Sequence, residues 1–382
     1  MIELSTQLVP LSQLHLHLVD GRTLTCRPCR QQITRPKNGR GNKILPPDLA
    51  VQAVREAIPL GLRTVRLVGD TSLLYPGLGK LLDRLESLEL NVVIETNGAG
   101  ATPQSAQRLA RIPRTTVWVG LDGADAATHD ANLGKTGAYI AAVQGIHALA
   151  EAGLSVQVVF TVRRNNAGKI PDLIRLVEKL GGESILFNIL EPGKPGEAEG
   201  GLQVEEAIAL GWRIERELAH TTRLRLVFGF PPAFRGLHPR SIAGTTAQLL
   251  NTWDGRCAIL NGLSLLSSGE YALCDLGTFL LNFILGRAGQ DSLDLIWNSH
   301  PIIQVLRQGM PSRLEGVCKR CTLKQGCMSF CAGENYLNSG TFWKANWFCD
   351  TAEQAGLFPA GRLIENAWGI AVDSIVDTTG RG

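Results

Sequence analysis

The sequence predicts an α/β fold, a partial (β/α)6 TIM-like barrel followed by a small cysteine-rich domain. Three observations carry that expectation. Short apolar runs alternate with amphipathic stretches from residue 14 to about 228, the signature of repeated βα units around a parallel sheet. Seven of the nine cysteines crowd into the last third of the chain. At 382 residues, the chain is long enough for one large domain plus a smaller one.

The elements follow in order. The first strand is expected over Leu14–Val19, where His15 and His17 fall on alternate positions and share one face. Further strands are expected over Thr64–Val68, Asn91–Glu95, Thr116–Leu121, Val156–Val162, Ser184–Leu190 and Leu224–Phe228, most of them too apolar to have a solvated face. Between them, helices over Leu49–Ile58, Leu78–Leu88, Thr136–Ala152 and Ile170–Leu180 place apolar residues along one side. The expected domains are a barrel over 1–230, a linker over 231–250, a cysteine-rich domain over 251–352 and a C-terminal tail over 353–382. The basic stretch Arg35–Lys43, with Gly and Asn interleaved, reads as a solvated loop, and Ala360–Val372 as a helix capping the cysteine-rich domain. Ligands of such barrels gather at the C-terminal ends of the strands.

Bulk charge excludes two classes of partner. The formal net charge is +3, with Lys and Arg spread along the chain, so neither nucleic acid nor an anionic membrane surface is expected to bind by charge. The opening MIELSTQLVPLSQLHLHLV lacks a basic n-region and a continuous apolar core, and no stretch reaches the roughly 20 apolar residues of a membrane span. A cytoplasmic protein is expected, and in that reducing compartment clustered cysteines are metal ligands or redox groups more often than disulfides.

Cys318, Cys321, Cys327 and Cys331 read C-x2-C-x5-C-x3-C, a spacing that lets several thiolates of one loop converge on an inorganic core. Cys257, Cys274 and Cys349 complete the array. On spacing alone zinc and iron are comparable, and a disulfide-bonded module is the weaker alternative. Near the N-terminus Cys26 and Cys29 form a CxxC, and the position four residues before Cys26 is Arg22. That pair is a leftover or structural one, a redox pair favoured as thiolates by Arg27 and Arg30, or part of a cluster completed by a non-cysteine ligand or another chain.

Four loops carry a family pattern: VRLVGDTSLLYPGL (65–78), VVIETNGAG (92–100), VWVGLDGADAATHDANLGKTGAY (117–139) and FNILEPGKPGEAEGGLQVEEA (187–207). Together with the cysteine array, their order and spacing resemble a radical S-adenosylmethionine protein with a C-terminal SPASM-type iron–sulfur domain, over nearly the whole chain. The resemblance implies two auxiliary [4Fe–4S] clusters. Cys318, Cys321, Cys327 and Cys349 would hold one; Cys257, Cys274 and Cys331 would hold the other, leaving one iron for an outside ligand. Gly269–Cys274 resembles the hairpin that delivers ligands to the first auxiliary cluster, that of Cys257 and Cys274, and residues 293–311 the helix that precedes the four-cysteine loop. At the barrel mouth the resemblance points to Gly69, Asp70, Thr96, Asn97, Gly120 and Asp122 as cofactor-binding positions. On the residues alone Thr96 and Asn97 also read as a plain turn, and Asp122 and Asp125 as turn or helix-capping groups.

This chain departs from the family at the cofactor. The family opens with C-x3-C-x2-C, of which only Cys26 and Cys29 remain; the guanidinium of Arg22 stays protonated, has no acceptor and cannot replace a thiolate. The residue after the third cysteine, usually aromatic, is Arg30. The usual Gly-Gly-Glu-Pro turn reads Gly69, Asp70, Thr71 and Ser72, and the usual serine before Leu-Asp-Gly is Gly120. S-adenosylmethionine and a third [4Fe–4S] cluster therefore lack a complete site, unless Asp20, His15 or His17 serves as an unusual ligand; the more ordinary reading of the two histidines is barrel lining. The expected function is that of a degenerate homologue, an electron relay and substrate-binding partner beside an intact radical enzyme acting on a peptide or small-molecule substrate. An active radical enzyme with an unusual N-terminal ligand and a zinc-stabilised binding protein are the alternatives.

Overall fold

The computed structural model describes residues 9–19, 43–69, 71–192, 200–235 and 257–364. Asp20, Arg22, Cys26, Cys29 and Asp70 lie outside these residues, as do 35–42, most of the expected linker and the expected terminal helix beyond Ile364. Two compact units are present. The first comprises 1–229 and 257–308; the second comprises 230–256 and 309–382.

Unit one is built on seven parallel strands that neighbour one another in chain order. They are β1 (Gln13–His17), β2 (Thr64–Val68), β3 (Asn91–Thr96), β4 (Thr115–Gly120), β5 (Ser155–Val162), β6 (Ser184–Ile189) and β7 (Arg225–Phe228). Each falls within two residues of its expected bounds, because the apolar runs are short, β-branched and closed by Gly or polar turns. Register aligns His15 with Arg66, Arg66 with Val93, and Trp118 with Gln157, so these side chains share one face of the sheet.

The sheet does not stop at β1. Strand β8 (Gly262–Leu265) pairs parallel to β1, and β9 (Glu270–Ala272) and β10 (Ile284–Arg287) follow antiparallel, giving the order β10-β9-β8-β1-β2-β3-β4-β5-β6-β7. The hairpin read from the sequence as part of the cysteine-rich domain thus packs with the barrel, occupying the edge of β1 that would otherwise leave backbone groups unpaired.

Helices cover the sheet through their apolar sides. These are α1 (Pro47–Ala57), α2 (Leu78–Leu85), α3 (Pro103–Leu109), α4 (Ala126–Leu133), α5 (Ala138–Glu151), α6 (Ile170–Lys179) and α7 (Val204–Arg213). In α2 the buried residues Leu78, Leu81, Leu82 and Leu85 recur at helical spacing, and burying each contributes about 1.5–3 kcal/mol. Helices α3, α4 and α7 lie outside the four helices expected from the sequence. α3 has a legible start, with Thr102 as cap, Pro103 in its first turn and Ser105 completing a capping box, but it is short. α4 buries Thr128, His129 and Asn132 beside Leu133, so no apolar stripe marks it.

The stretch 293–311, read as one helix, is two: α8 (Leu293–Ser299) and α9 (Pro301–Gly309). His300 between them is extended at φ −63°, ψ 129°, as a residue preceding proline prefers. Among the described residues unit two holds four short helices, α10 (Gly316–Arg320), α11 (Lys324–Cys327), α12 (Ala332–Ser339) and α13 (Trp347–Gln354). Its aromatic core places the Phe348 ring 5.0 Å from Phe230 and 5.1 Å from Phe234, and Phe234 5.6 Å from Phe358, centroid to centroid.

Candidate metal centre and barrel mouth

Four cysteines of unit two line a single small cavity of about 20 Å³: Cys318 from α10, Cys321 just after it, Cys327 ending α11 and Cys349 in α13. Most of the remaining lining is apolar, with Pro231, Ala233, Val317, Leu323 and Phe358 among it. Burial pushes all four thiols above their ordinary pKa; for Cys327 the neighbouring Cys318 and Cys321 add to the rise, and for Cys349 the other three cysteines do. Thiols that perturb one another across one mostly apolar cavity form a soft donor set of the kind that holds an iron–sulfur core, which is wider than a single ion. Among the described residues no three His, Cys, Asp or Glu side chains are close enough together to hold one ion.

The loop after α11 sets the direction of these groups. Met328, Ser329 and Phe330 all have positive φ (51°, 65° and 64°), a conformation that L-residues hold only when their surroundings fix it. Ser329 is the fixed point. Its hydroxyl donates to Lys344 O at 3.2 Å and accepts from Asn335 Nδ2 at 2.5 Å, and Cys318 Sγ lies 3.8 Å away. Past this turn Cys331 caps α12, with Glu334 N donating to its Sγ at 3.4 Å. Cys331 is not among the residues lining the cavity.

The Cys257–Cys274 pair belongs to unit one. Cys274 follows β9, and its thiol is pushed well above its ordinary pKa by burial, then by Cys257 and Asp275. Asp275 ties three elements together: its Oδ1 lies 2.9 Å from His15 Nδ1, 2.9 Å from His17 Nε2 and 2.7 Å from Ser264 Oγ. Burial alone would raise the Asp275 carboxyl, but the two histidines overcome it and hold it well below the usual range. Both histidines therefore have a partner in the barrel wall. His15 Nε2 remains buried without one among the described residues.

The remaining sequence-predicted positions meet at the C-terminal ends of β2, β3 and β4. Thr96 Oγ1 accepts from Gly98 N at 3.1 Å and Asn97 Oδ1 from Ala99 N at 2.9 Å, so both side chains brace their own turn. Gly98, at φ +84°, is required there, since a Cβ would come within 2.8 Å of Ala142 Cα. Gly69 O accepts from Ser72 Oγ at 2.9 Å. Asp122 Oδ1 accepts from Thr161 N at 2.8 Å, while Asp122 N donates to His129 Nδ1 at 2.9 Å, joining the ends of β4, α4 and β5. Burial raises the Asp122 carboxyl, against the Thr161 hydrogen bond and the charge of Arg163. Asp125 caps α4 through Thr128 N at 2.8 Å and pairs with Lys169 at 2.6 Å. Gly120 faces open space, where a Cβ would meet nothing within 4 Å. The described side chains of the mouth are thus largely committed to one another.

Two family profiles match in sequence order. The Radical SAM superfamily covers residues 20–177, and the SPASM iron-sulfur cluster-binding domain covers 257–322. The chain belongs to the radical SAM family, with a SPASM domain. It is 24% identical to the AdoMet-dependent heme synthase of Methanosarcina barkeri over 337 residues, 87% of this chain and 94% of that one. It is also 24% identical to the mycofactocin maturase MftC of Mycobacterium ulcerans over 277 residues, 71% of this chain and 70% of that one. The structure of Streptococcus suis SuiB bound to precursor peptide SuiA shares the fold, with a TM-score of 0.69 and 16% identity over 90% of this chain and 76% of that one.

The radical SAM barrel of this chain also contains a polar band outside the expected site residues. On its inner face Arg66 pairs with Glu95 and lies 4.4 Å from the centre of the Trp118 ring, while Ser184 Oγ donates to Gln157 Oε1 at 3.1 Å. The signal was present as a charge at an inward position of two otherwise apolar strands, TVRLV and NVVIET. No helix among the described residues is long and apolar enough to cross a membrane.

Proposed function

We propose that this radical SAM/SPASM protein is a one-electron relay and substrate-binding partner in a peptide or natural-product modification system, with a degenerate S-adenosylmethionine site of its own. The observation that carries this reading is the contrast between the two ends of the chain. Cys318, Cys321, Cys327 and Cys349 line one mostly apolar cavity, whereas the N-terminal motif has Arg22 where a thiolate is required. The resemblance to a mycofactocin maturase and to a fold that binds a precursor peptide supports a peptide as the substrate class.

In this reading the four thiols of unit two hold one [4Fe–4S] cluster, which supplies one-electron transfer when bound. The protein's own part is to desolvate the centre with Phe358, Leu323 and Val317, hold Cys318 in place through Ser329, and give up the thiol protons on loading. Cys257 and Cys274, with Cys331, are assigned to a second cluster by the family pattern, and Asp275 fixes His15 and His17 beside Cys274. At the mouth, the commitment of Thr96, Asn97 and Asp122 to structural hydrogen bonds supports a cofactor site that has lost its contacts.

A second reading is an active radical enzyme whose N-terminal cluster takes an unusual ligand. It is favoured by likeness to an AdoMet-dependent heme synthase over 94% of that enzyme's length. The double variant Cys26→Ala/Cys29→Ala separates the two. The relay reading expects iron per chain to stay within error of the parent; loss of about four irons, one cubane, would establish an N-terminal cluster and favour the second reading.

A further inference from the structure

The inner face of the barrel sheet carries unmet hydrogen-bonding groups. Register places Glu95, Trp118, Gln157 and Ser184 in one row across β3 to β6, all on that face. The opposite face, with Val65, Ile94, Val117 and Val158, is fully buried. Arg66 reaches into the row, pairing with Glu95 and lying 4.4 Å from the centre of the Trp118 ring; the side chains of the pair are 24% and 29% exposed. Its Nε is buried and, among the described residues, has no partner. Gln157 is 2% exposed, and its Oε1 accepts from Ser184 Oγ at 3.1 Å, which orients the amide and leaves Nε2 as the donor. That Nε2 is likewise buried without a partner. Two residues beyond Trp118 on the same face, Gly120 adds no side chain, and a Cβ there would meet nothing within 4 Å.

We infer that this face binds an uncharged amide group of a peptide, its carbonyl taken by Arg66 Nε and Gln157 Nε2 beside the Trp118 ring. The inference rests on the reading that the chain binds a peptide substrate, and it names the group held. Buried donors in folded proteins are normally satisfied, so two of them flanking one ring call for an acceptor. Charge decides which acceptor. Arg66 already has its counterion in Glu95, so a ligand carboxylate would have to displace Glu95 or be buried next to it; a carbonyl brings lone pairs and no charge. The indole offers a flat apolar surface to the planar peptide group, and the Glu95 carboxylate can accept from a peptide N–H. The site lies apart from the expected cofactor positions. Asn97 and Asp122 follow the ends of β3 and β4, whereas Arg66 and Gln157 are interior to β2 and β5.

The test is fluorine NMR of the anaerobically reconstituted full chain labelled with 5-fluorotryptophan, the Trp118 resonance being identified with Trp118→Phe. That resonance is followed as N-acetylglycine N-methylamide, a neutral diamide, or sodium acetate is added. The diamide is expected to move it saturably and acetate to leave it in place. Gln157→Met removes the donor at nearly constant volume and should weaken diamide binding about fivefold, as the loss of one hydrogen bond does. Arg66→Lys keeps a charge for Glu95 but drops Nε; it should weaken binding to a similar extent, and it carries the test if Gln157→Met does not fold. No saturable shift with the diamide, saturation by acetate, or parental affinity in both variants would overturn the inference. A chain that forms 5′-deoxyadenosine yet binds the diamide in this way would overturn the relay reading and leave the amide site standing.

Discussion

At the residue scale, His129 shows how a position near the expected cofactor site serves the fold. It is 1% exposed, accepts a hydrogen bond from Asp122 N and is pulled down to a pKa of about 4 by burial, against the opposing charge of Asp130. The native protein therefore keeps this imidazole neutral, while unfolded chains protonate it below about pH 6.5. Because the unfolded state binds the extra proton, stability is full above about pH 6.5 and is lost as pH falls toward 4, by about 3 kcal/mol in all. Urea unfolding at pH 7.5 and pH 5 should reveal about 2 kcal/mol of that loss, and His129→Asn, which keeps an acceptor but does not titrate, should remove most of it. An unchanged pH dependence in the variant would assign the effect to other groups. Sequence alone located Asp122 and Asp125 in this loop and raised the turn and capping roles; it did not disclose the buried partner, because His129 reaches Asp122 through helix α4, which has no apolar stripe to announce it.

At the element scale, the turn between α11 and α12 decides how the cysteines are presented. Three successive left-handed residues are stabilised around Ser329 by Asn335 and Lys344. Ser329→Ala removes that hub from a buried site and is expected to lower the stability of the iron-loaded protein by about 1–3 kcal/mol, read as a shift in denaturant midpoint. Ser329→Gly should do less harm, since glycine takes a φ of 65° without strain. Equal and negligible effects of both would show that the loop is held elsewhere. The seven barrel strands were legible because runs such as VVIET and SVQVVFTV are short, apolar and β-branched. The cysteine loop was legible only as spacing: nothing in KQGCMSFC announces three left-handed residues without a glycine. Nor did the hairpin at 262–272 reveal that it would join the barrel sheet, since strand pairing across some 250 residues leaves no local mark.

At the scale of the whole molecule, the chain folds as two units, and the metal chemistry is expected to matter unequally to them. Cys318→Ala should lower iron by about four atoms per chain and disorder unit two, because cluster binding and local folding are linked. The parallel sheet of unit one, with its own buried core of Leu14, Val65, Ile94, Phe160 and Phe187, should persist, so most far-ultraviolet circular dichroism is expected to remain. Collapse of the entire signal would show that the units form one cooperative system. A relay with clusters but without its own radical chemistry is separated from an active enzyme by one assay. Iron and labile sulfide are counted on the anaerobically reconstituted chain, and 5′-deoxyadenosine is measured after dithionite and S-adenosylmethionine are added. About eight irons per chain, two cubanes, with no 5′-deoxyadenosine is the expected result. About twelve irons with sustained 5′-deoxyadenosine would contradict it and make the protein an active radical enzyme, and zinc in place of iron would contradict both.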